Sequence, residues 1–384
     1  MRLKGVNLGG WLLMEGYILG GRNIAESIFK ANFKKQNSAQ ALREFEIFFR
    51  DNFICEEDFS NISKINANAV RVPFNYRLII ENEKGISYLK RALSFAKKYN
   101  LGIILDLHAA PGAQNCDWHS DSAGKALFWE KETYRNQVID IWGKVIEELK
   151  EESALIGFDI LNEPVLSDKP ITLLAQFYKK AIRCIRAIDK KHKIFLEGDV
   201  WAQRIDFLAD LLDENVSVSI HTYFPLNYTF NFIPFYKFPG MIDNESWDEE
   251  KIEHALLPYF EFSRKNKTDI FVGEFGINWR GGLWGESDYL SSMLNVFEKF
   301  NFSYTYWTYK AISGHVFPDG IYQYFPNNEY VKREGPVYGW ENYIPLWFKE
   351  KDKIIDFWRT KNFTPNQAVI NTLKKYFTKT DAKN

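Results

Sequence analysis

Short apolar runs alternate with amphipathic stretches through almost the whole chain. Eight runs have the length and composition of strands buried on both faces: 3–8, 69–73, 102–108, 156–161, 193–197, 216–221, 270–273 and 304–307. Between them, apolar positions fall at helical spacing. Over 88–99 the stripe is Leu89, Ala92, Leu93 and Ala96, and over 134–149 it is Val138, Ile141, Trp142, Val145 and Leu149. Similar stripes occupy 173–188, 253–264, 289–300 and 365–377, and Asp58, Phe59, Ile62 and Ile65 mark a helix leading into the second strand. This alternation predicts an α/β chain folded as a single (β/α)₈ barrel over residues 1–384. No Pro/Gly/Ser-rich linker or short fixed repeat suggests a second domain.

Three connections are too long to be simple links: 9–37, 222–249 and 310–351, after strands 1, 6 and 8. The second is dense in aromatics, from Tyr223 and Phe224 through Phe230 to Phe238. The third carries Phe317, Tyr322, Tyr324, Phe325, Tyr330, Tyr338, Trp340 and Trp347. Such loops either shape a pocket over the barrel mouth or form satellite cores that hold themselves down.

Aromatics make up 17% of the chain, with 12 Trp and 20 Tyr, more than a core alone requires. Stacking surfaces for the apolar faces of sugars account for that excess, as does a bulky core. With 49 basic against 50 acidic side chains, the chain lacks the basic excess of a nucleic-acid binder. Cys55, Cys116 and Cys184 form neither a disulfide framework nor a zinc knuckle. The first residues contain no apolar segment of secretory length, and no run reaches a membrane span. A cytoplasmic protein is therefore expected, with no membrane partner.

Candidate chemistry lies where the strands end, the place a barrel collects its active site. Strand 1 leads to Asn7 and then Glu15. Strand 2 carries Arg71, strand 3 His108, strand 4 Asn162 and Glu163, strand 6 His221 and then Tyr223, strand 7 Glu274 and strand 8 Trp307. A carboxyl group at the lip of a hydrophobic strand is poorly solvated, so Glu163 is expected to have the raised pKa of a general acid. A Glu that caps a helix or pairs with a surface Lys is the plainer reading. Glu274 ends a second such run, between Gly273 and Gly276, which would let other groups approach closely. Two strands each bringing a carboxylate to one rim are the minimal equipment for cleaving a glycosidic bond. His108 and His221 could suggest a metal, but metal-dependent barrels gather more His and Asp ligands than this chain offers. Neither metal nor cofactor is expected. Asp117 and His119 are read as rim residues of the third loop, or as part of a solvated loop.

The ordered strand-ending segments resemble glycoside hydrolase family 5: Arg71-Val72-Pro73-Phe74, His108-Ala109-Ala110-Pro111-Gly112, Leu161-Asn162-Glu163-Pro164, His221-Thr222-Tyr223, Gly273-Glu274-Phe275-Gly276 and Trp307. The resemblance implies a retaining hydrolase, with Glu163 as acid/base and Glu274 as nucleophile. Beside it stands a physical reading of the same residues. Arg71 would favour the ionised form of Glu274, and Tyr223 would bond one of its oxygens. Asn162 would meet the sugar 2-hydroxyl, and Trp307 would floor the subsite. Gly5-Val6-Asn7-Leu8-Gly9-Gly10-Trp11 with Glu15 looks like the opening of exo-β-1,3-glucanases, where the Glu holds the terminal sugar. Gly16-Tyr17, Phe275-Gly276 and the aromatic loop after Tyr223 depart from that branch. The expected activity is exo-cleavage of β-linked gluco- or manno-oligosaccharides, in a pocket walled off by Glu15, Asn7 and the third long loop. A β-mannosidase and an endo-acting glucanase or mannanase stay open as alternatives. From other classes, so do a non-catalytic carbohydrate-binding barrel and a metal-dependent hydrolase.

Overall fold

The computed structural model describes residues 2–312, 314–324 and 339–378. Eight parallel strands close into a barrel: β1 (Lys4–Asn7), β2 (Ala69–Asn75), β3 (Gly102–Ala109), β4 (Leu155–Asp159), β5 (Lys193–Glu197), β6 (Val216–His221), β7 (Ile270–Phe275) and β8 (Ser303–Tyr306). Each follows its neighbour in sequence around the ring, and β8 pairs with β1 to close it. This is the predicted fold, with strand limits shifted by a few residues at most.

Side chains on alternate residues of a barrel strand point inward, and here they form layers. Ile104, Phe195 and Phe271 make a small cluster of their own, with Leu3 and Ile156 against it, apart from the large core shared with the helices. Two residues further along β3 and β5 come Asp106 and Glu197. An apolar plug thus underlies a charged layer, and the charged layer underlies the rim. Where β6 meets β7, the register shifts between Ile220 and His221, so that His221 pairs with Glu274. A bulge of this kind re-aims side chains at a strand end.

The outer layer departs from a regular alternation in three places. The chain between β1 and β2 carries extra helices, among them Glu26–Gln36 and Ala39–Asn52. The third long connection carries helix Trp340–Phe357, whose Trp340 and Trp347 are fully buried against Phe29, Phe33 and Phe45 of those helices. These aromatics form a satellite core and do not face the barrel mouth. Phe325, Tyr330 and Tyr338 lie outside the described residues. Between β5 and β6 there is no long helix, only a short turn at Asp199–Ala202 and a 3₁₀ segment, Asp206–Leu211. The turn uses up chain that a helix would need.

Candidate active site

Arg71, on β2, is the centre of the charged layer and is wholly buried. Its Nη1 donates to Glu274 Oε1 at 2.8 Å and to Asn7 Oδ1 at 3.2 Å. Nη2 donates to Asn162 Oδ1 at 2.9 Å and Glu197 Oε1 at 3.0 Å, and Nε to Asp159 Oδ2 at 3.0 Å. Asp106 Oδ2 stands 3.1 Å from Nη2. Only a guanidinium presents enough donors in one plane to serve so many acceptors. Burial drives the Asp106 carboxyl up to about 7 against the pull of Arg71, and holds Asp159 well above the usual range. Asp106, Asp159 and Glu197 each bring one oxygen within 4.8 Å of the others, a grouping that could suit a cation. All three contact the Arg71 guanidinium, which already supplies that charge.

Glu274, at the end of β7, has a donor on each oxygen: Arg71 on Oε1, and the Tyr223 hydroxyl on Oε2 at 2.8 Å. Its neighbouring glycines are required by close approach. A Cβ on Gly273 would lie 2.7 Å from Ser219 Oγ and 3.0 Å from His221 Nε2, and one on Gly276 would lie 2.2 Å from the Trp307 carbonyl oxygen.

Glu163 sits just past β4 with φ +44°, a left-handed conformation rare for a residue with a side chain. Pro164 disfavours the right-handed helical alternative at this position. The conformation is held from both sides. Glu163 N–H donates to Glu197 Oε2 at 2.6 Å, and its carbonyl accepts from Asn115 Nδ2 at 2.9 Å. His221 bridges the acidic groups, with Nδ1 2.7 Å from Glu163 Oε1 and Nε2 3.2 Å from Glu197 Oε1. One oxygen each of Glu163 and Glu274 and a ring nitrogen of His221 all lie within 4.8 Å of one another.

The expected raised pKa of Glu163 is corrected here. Burial does push its carboxyl up, but the hydrogen bond and charge of His221, with the charge of His119, outweigh it and bring it down to about 2. Burial opposes a charge on His221, yet Glu197, Glu274 and Glu163 hold its ring well above the usual imidazole range. His108 is the opposite case, pushed down to about 3 chiefly by burial. As a neutral ring it donates from Nδ1 to Asp106 Oδ2 at 2.7 Å, and it stacks on Trp307 at 5.4 Å and 11°.

A cavity of about 310 Å³ opens over the two glutamates. Glu15, His108, Glu163, His221, Tyr223, Glu274 and Trp307, all expected at the site, line it. Among the described residues, Glu15 Oε1 is buried without a hydrogen-bond partner, and burial drives its carboxyl up to about 8, with His119 opposing the push and Glu274, Glu163 and Asp106 adding to it. The wall converges on Phe317, whose ring meets Tyr17 at 5.2 Å, Trp118 at 5.3 Å and Phe230 at 5.4 Å. Loops after β1, β3, β6 and β8 therefore meet on one side chain.

Two expected sugar contacts are placed differently. Asn7 is fully buried below the cavity, where its amide donates to the carbonyls of Gly273, Thr305 and Tyr306 while its oxygen accepts from Arg71. It braces the charged layer and does not line the pocket. Asn162 is also fully buried, with its oxygen taken by Arg71 and its amide 3.5 Å from His108 Nε2. His119, expected on a rim or in a solvated loop, instead lines the cavity 3.4 Å from Glu163 Oε2. Sequence reasoning passed over Asp106, Asp159 and Glu197 altogether. The available signal was a lone acid at an inward position of an otherwise apolar strand. Trp201 was missed as well, and no local pattern marks it.

The model of the family described as Cellulase (glycosyl hydrolase family 5) matches residues 32–313. Among curated relatives, the chain is 27% identical over 330 residues to a Beta-xylosidase of Phanerodontia chrysosporium, covering 81% of this chain and 67% of that protein. It is 25% identical over 317 residues to Endoglucanase C of Acetivibrio thermocellus, covering 72% and 90%. It is also 25% identical over 339 residues to Glucan 1,3-beta-glucosidase 3 of Schizosaccharomyces pombe, covering 81% and 69%.

Proposed function

The chain belongs to glycosyl hydrolase family 5, and from that premise we propose that it is a retaining, exo-acting β-glycosidase of gluco- or manno-oligosaccharides. One observation carries the retaining part. Oxygens of Glu163 and Glu274 lie within 4.8 Å of each other, which suits direct attack on the anomeric carbon. Retaining enzymes hold their carboxyl groups about 5–5.5 Å apart, whereas inverting ones leave about 6.5–9.5 Å for a water.

In the first half-reaction Glu274, steered by Arg71 and Tyr223, attacks the anomeric carbon while Glu163 protonates the departing oxygen. In the second, Glu163 takes a proton from water as that water displaces Glu274. Trp307, stacked on His108, offers its face to the sugar. The exo reading is supported by the size and closure of the cavity. Its 310 Å³ is at the small end of ligand pockets, which span about 300–1,000 Å³, and four loops gather at Phe317 on its wall.

Two measurements test this reading. Glu274→Ala should abolish turnover, and added azide should restore product as a glycosyl azide of inverted configuration; substantial azide-free activity would remove Glu274 as nucleophile. Aryl β-glucosides, β-mannosides and β-xylosides compared under one condition identify the sugar, and the xyloside arm tests the activity named for the Phanerodontia relative. Rates on short oligosaccharides should exceed those on polymer, and random internal cleavage of polymer would refute exo action.

A further inference from the structure

Glu163 has two oxygens in different surroundings. Oε1 is engaged by His221, so Oε2 is the oxygen left to meet a leaving group. That oxygen faces a second imidazole, with His119 Nδ1 3.4 Å away. On its other side, His119 Nε2 stands 3.5 Å from Asp117 Oδ2, which accepts from Trp201 Nε1 at 2.8 Å. A row Trp201–Asp117–His119–Glu163 thus runs from the cavity mouth to the acid/base.

The row is held in place by its loop. His119 lies in a 3₁₀ turn, Trp118–Ser120, and Ser120 Oγ donates to the carbonyls of Asn115 and Asp117. Asn115 in turn grips the Glu163 carbonyl. At the far end, Val200, Trp201 and Ala202 have φ of +58°, +52° and +63°. Three successive non-glycine residues in the left-handed region are costly, and strain of this kind persists where the surroundings impose it.

We propose that His119 is a positioning residue that stores the catalytic proton for Glu163, with Asp117 and Trp201 fixing its ring. The inference rests on the acid/base reading of Glu163. In the first step His119 passes its Nδ1 proton to Glu163 Oε2 and becomes neutral. Glu163 delivers the proton to the glycosidic oxygen as that oxygen leaves the anomeric carbon and Glu274 bonds to it. In the second step water gives a proton to Glu163 Oε2 as its oxygen bonds the anomeric carbon and Glu274 departs. That proton then returns to His119, and the cycle closes. The groups facing His119 fit this role: Asp117 from its own loop, Glu163 from the end of β4, Glu15 from the loop after β1, and neutral His108 from β3. Burial alone would discharge the ring, yet Asp117 and Glu163 above all raise it to about 9, so it holds a proton at neutral pH while Glu163 does not.

The test compares phenyl and dinitrophenyl glycosides of the preferred sugar, because only the phenyl leaving group needs protonation. His119→Asn should lower kcat/KM on the phenyl glycoside roughly tenfold to a hundredfold, a share of the about 10²–10⁴-fold that general acids provide. Its loss on the dinitrophenyl glycoside should be about threefold or less, and the alkaline limb of the pH profile should move to lower pH. Equal losses on both substrates, or an unmoved limb, would overturn the proposal. Should His119→Asn not fold, Asp117→Asn takes the same test with a smaller shift in the same direction. Glu163→Ala serves as the reference. If it loses both substrates equally, the acid/base assignment fails; if it is selective and His119→Asn is not, only the role of His119 fails.

Discussion

Arg71 and Glu274 meet at 2.8 Å across the barrel, from strands 203 residues apart in the chain. Nothing between them is local. The guanidinium fixes one oxygen of Glu274 and at the same time touches Glu197, Asp159 and Asp106. Replacing it with Lys keeps the charge but loses the planar fork. Arg71→Lys should therefore reduce kcat by at least roughly a hundredfold and destabilise the fold by about 1–3 kcal/mol for each buried acceptor left without a donor. Thermal melting together with single-turnover rates checks both parts.

Tyr223→Phe removes one hydrogen bond to the second oxygen of Glu274 and little else. Hydrogen bonds to charged groups contribute about 1.5–3 kcal/mol, so kcat/KM should fall roughly tenfold to 150-fold with the melting temperature barely changed. An unchanged kcat/KM would show that Arg71 alone orients the carboxylate.

Glu15 carries a pH signature. Its folded-state carboxyl is raised from 4.5 to about 8, so between those values the unfolded chain releases a proton that the folded chain keeps. Stability therefore falls as pH rises through this window, by about 1.4 kcal/mol per unit, or about 5 kcal/mol in all. Glu15→Gln should melt higher than wild type above pH 8 and lose most of that advantage near pH 4.5. The same variant should bind substrate more weakly, since Glu15 lines the cavity. A constant difference in melting temperature across pH would contradict the raised value.

Trp358 tests whether the aromatic satellite core is separate from the chemistry. It is fully buried and meets Phe49 at 5.0 Å and Phe45 at 5.4 Å, both edge to face. Trp358→Ala should cost about 3–5 kcal/mol in chemical denaturation, while kcat of the folded fraction stays near wild type. A large loss in kcat would couple this core to the site.

Chelators should leave turnover unchanged, because the Arg71 guanidinium provides the positive charge among Asp106, Asp159 and Glu197. Inactivation by a chelator, reversed by a divalent ion, would reopen the metal-dependent alternative.

The sequence by itself determined the barrel strands and the residues at their ends. Both are local properties: a buried strand reads as a short apolar run, and the residue that ends it stands next to it in the chain. That is why Glu163, Glu274 and Tyr223 could be picked out from the sequence as candidates beside strand ends, and Arg71 as a lone charge inside an apolar strand. Tertiary structure decided everything that depends on what lies across the ring. It turned Asn7 and Asn162 into braces beneath the pocket, and it drew His119 in to face Glu163. It also lowered the Glu163 carboxyl, because the pKa of a buried group follows from the charges that closure brings beside it, and those come from strands far away in sequence.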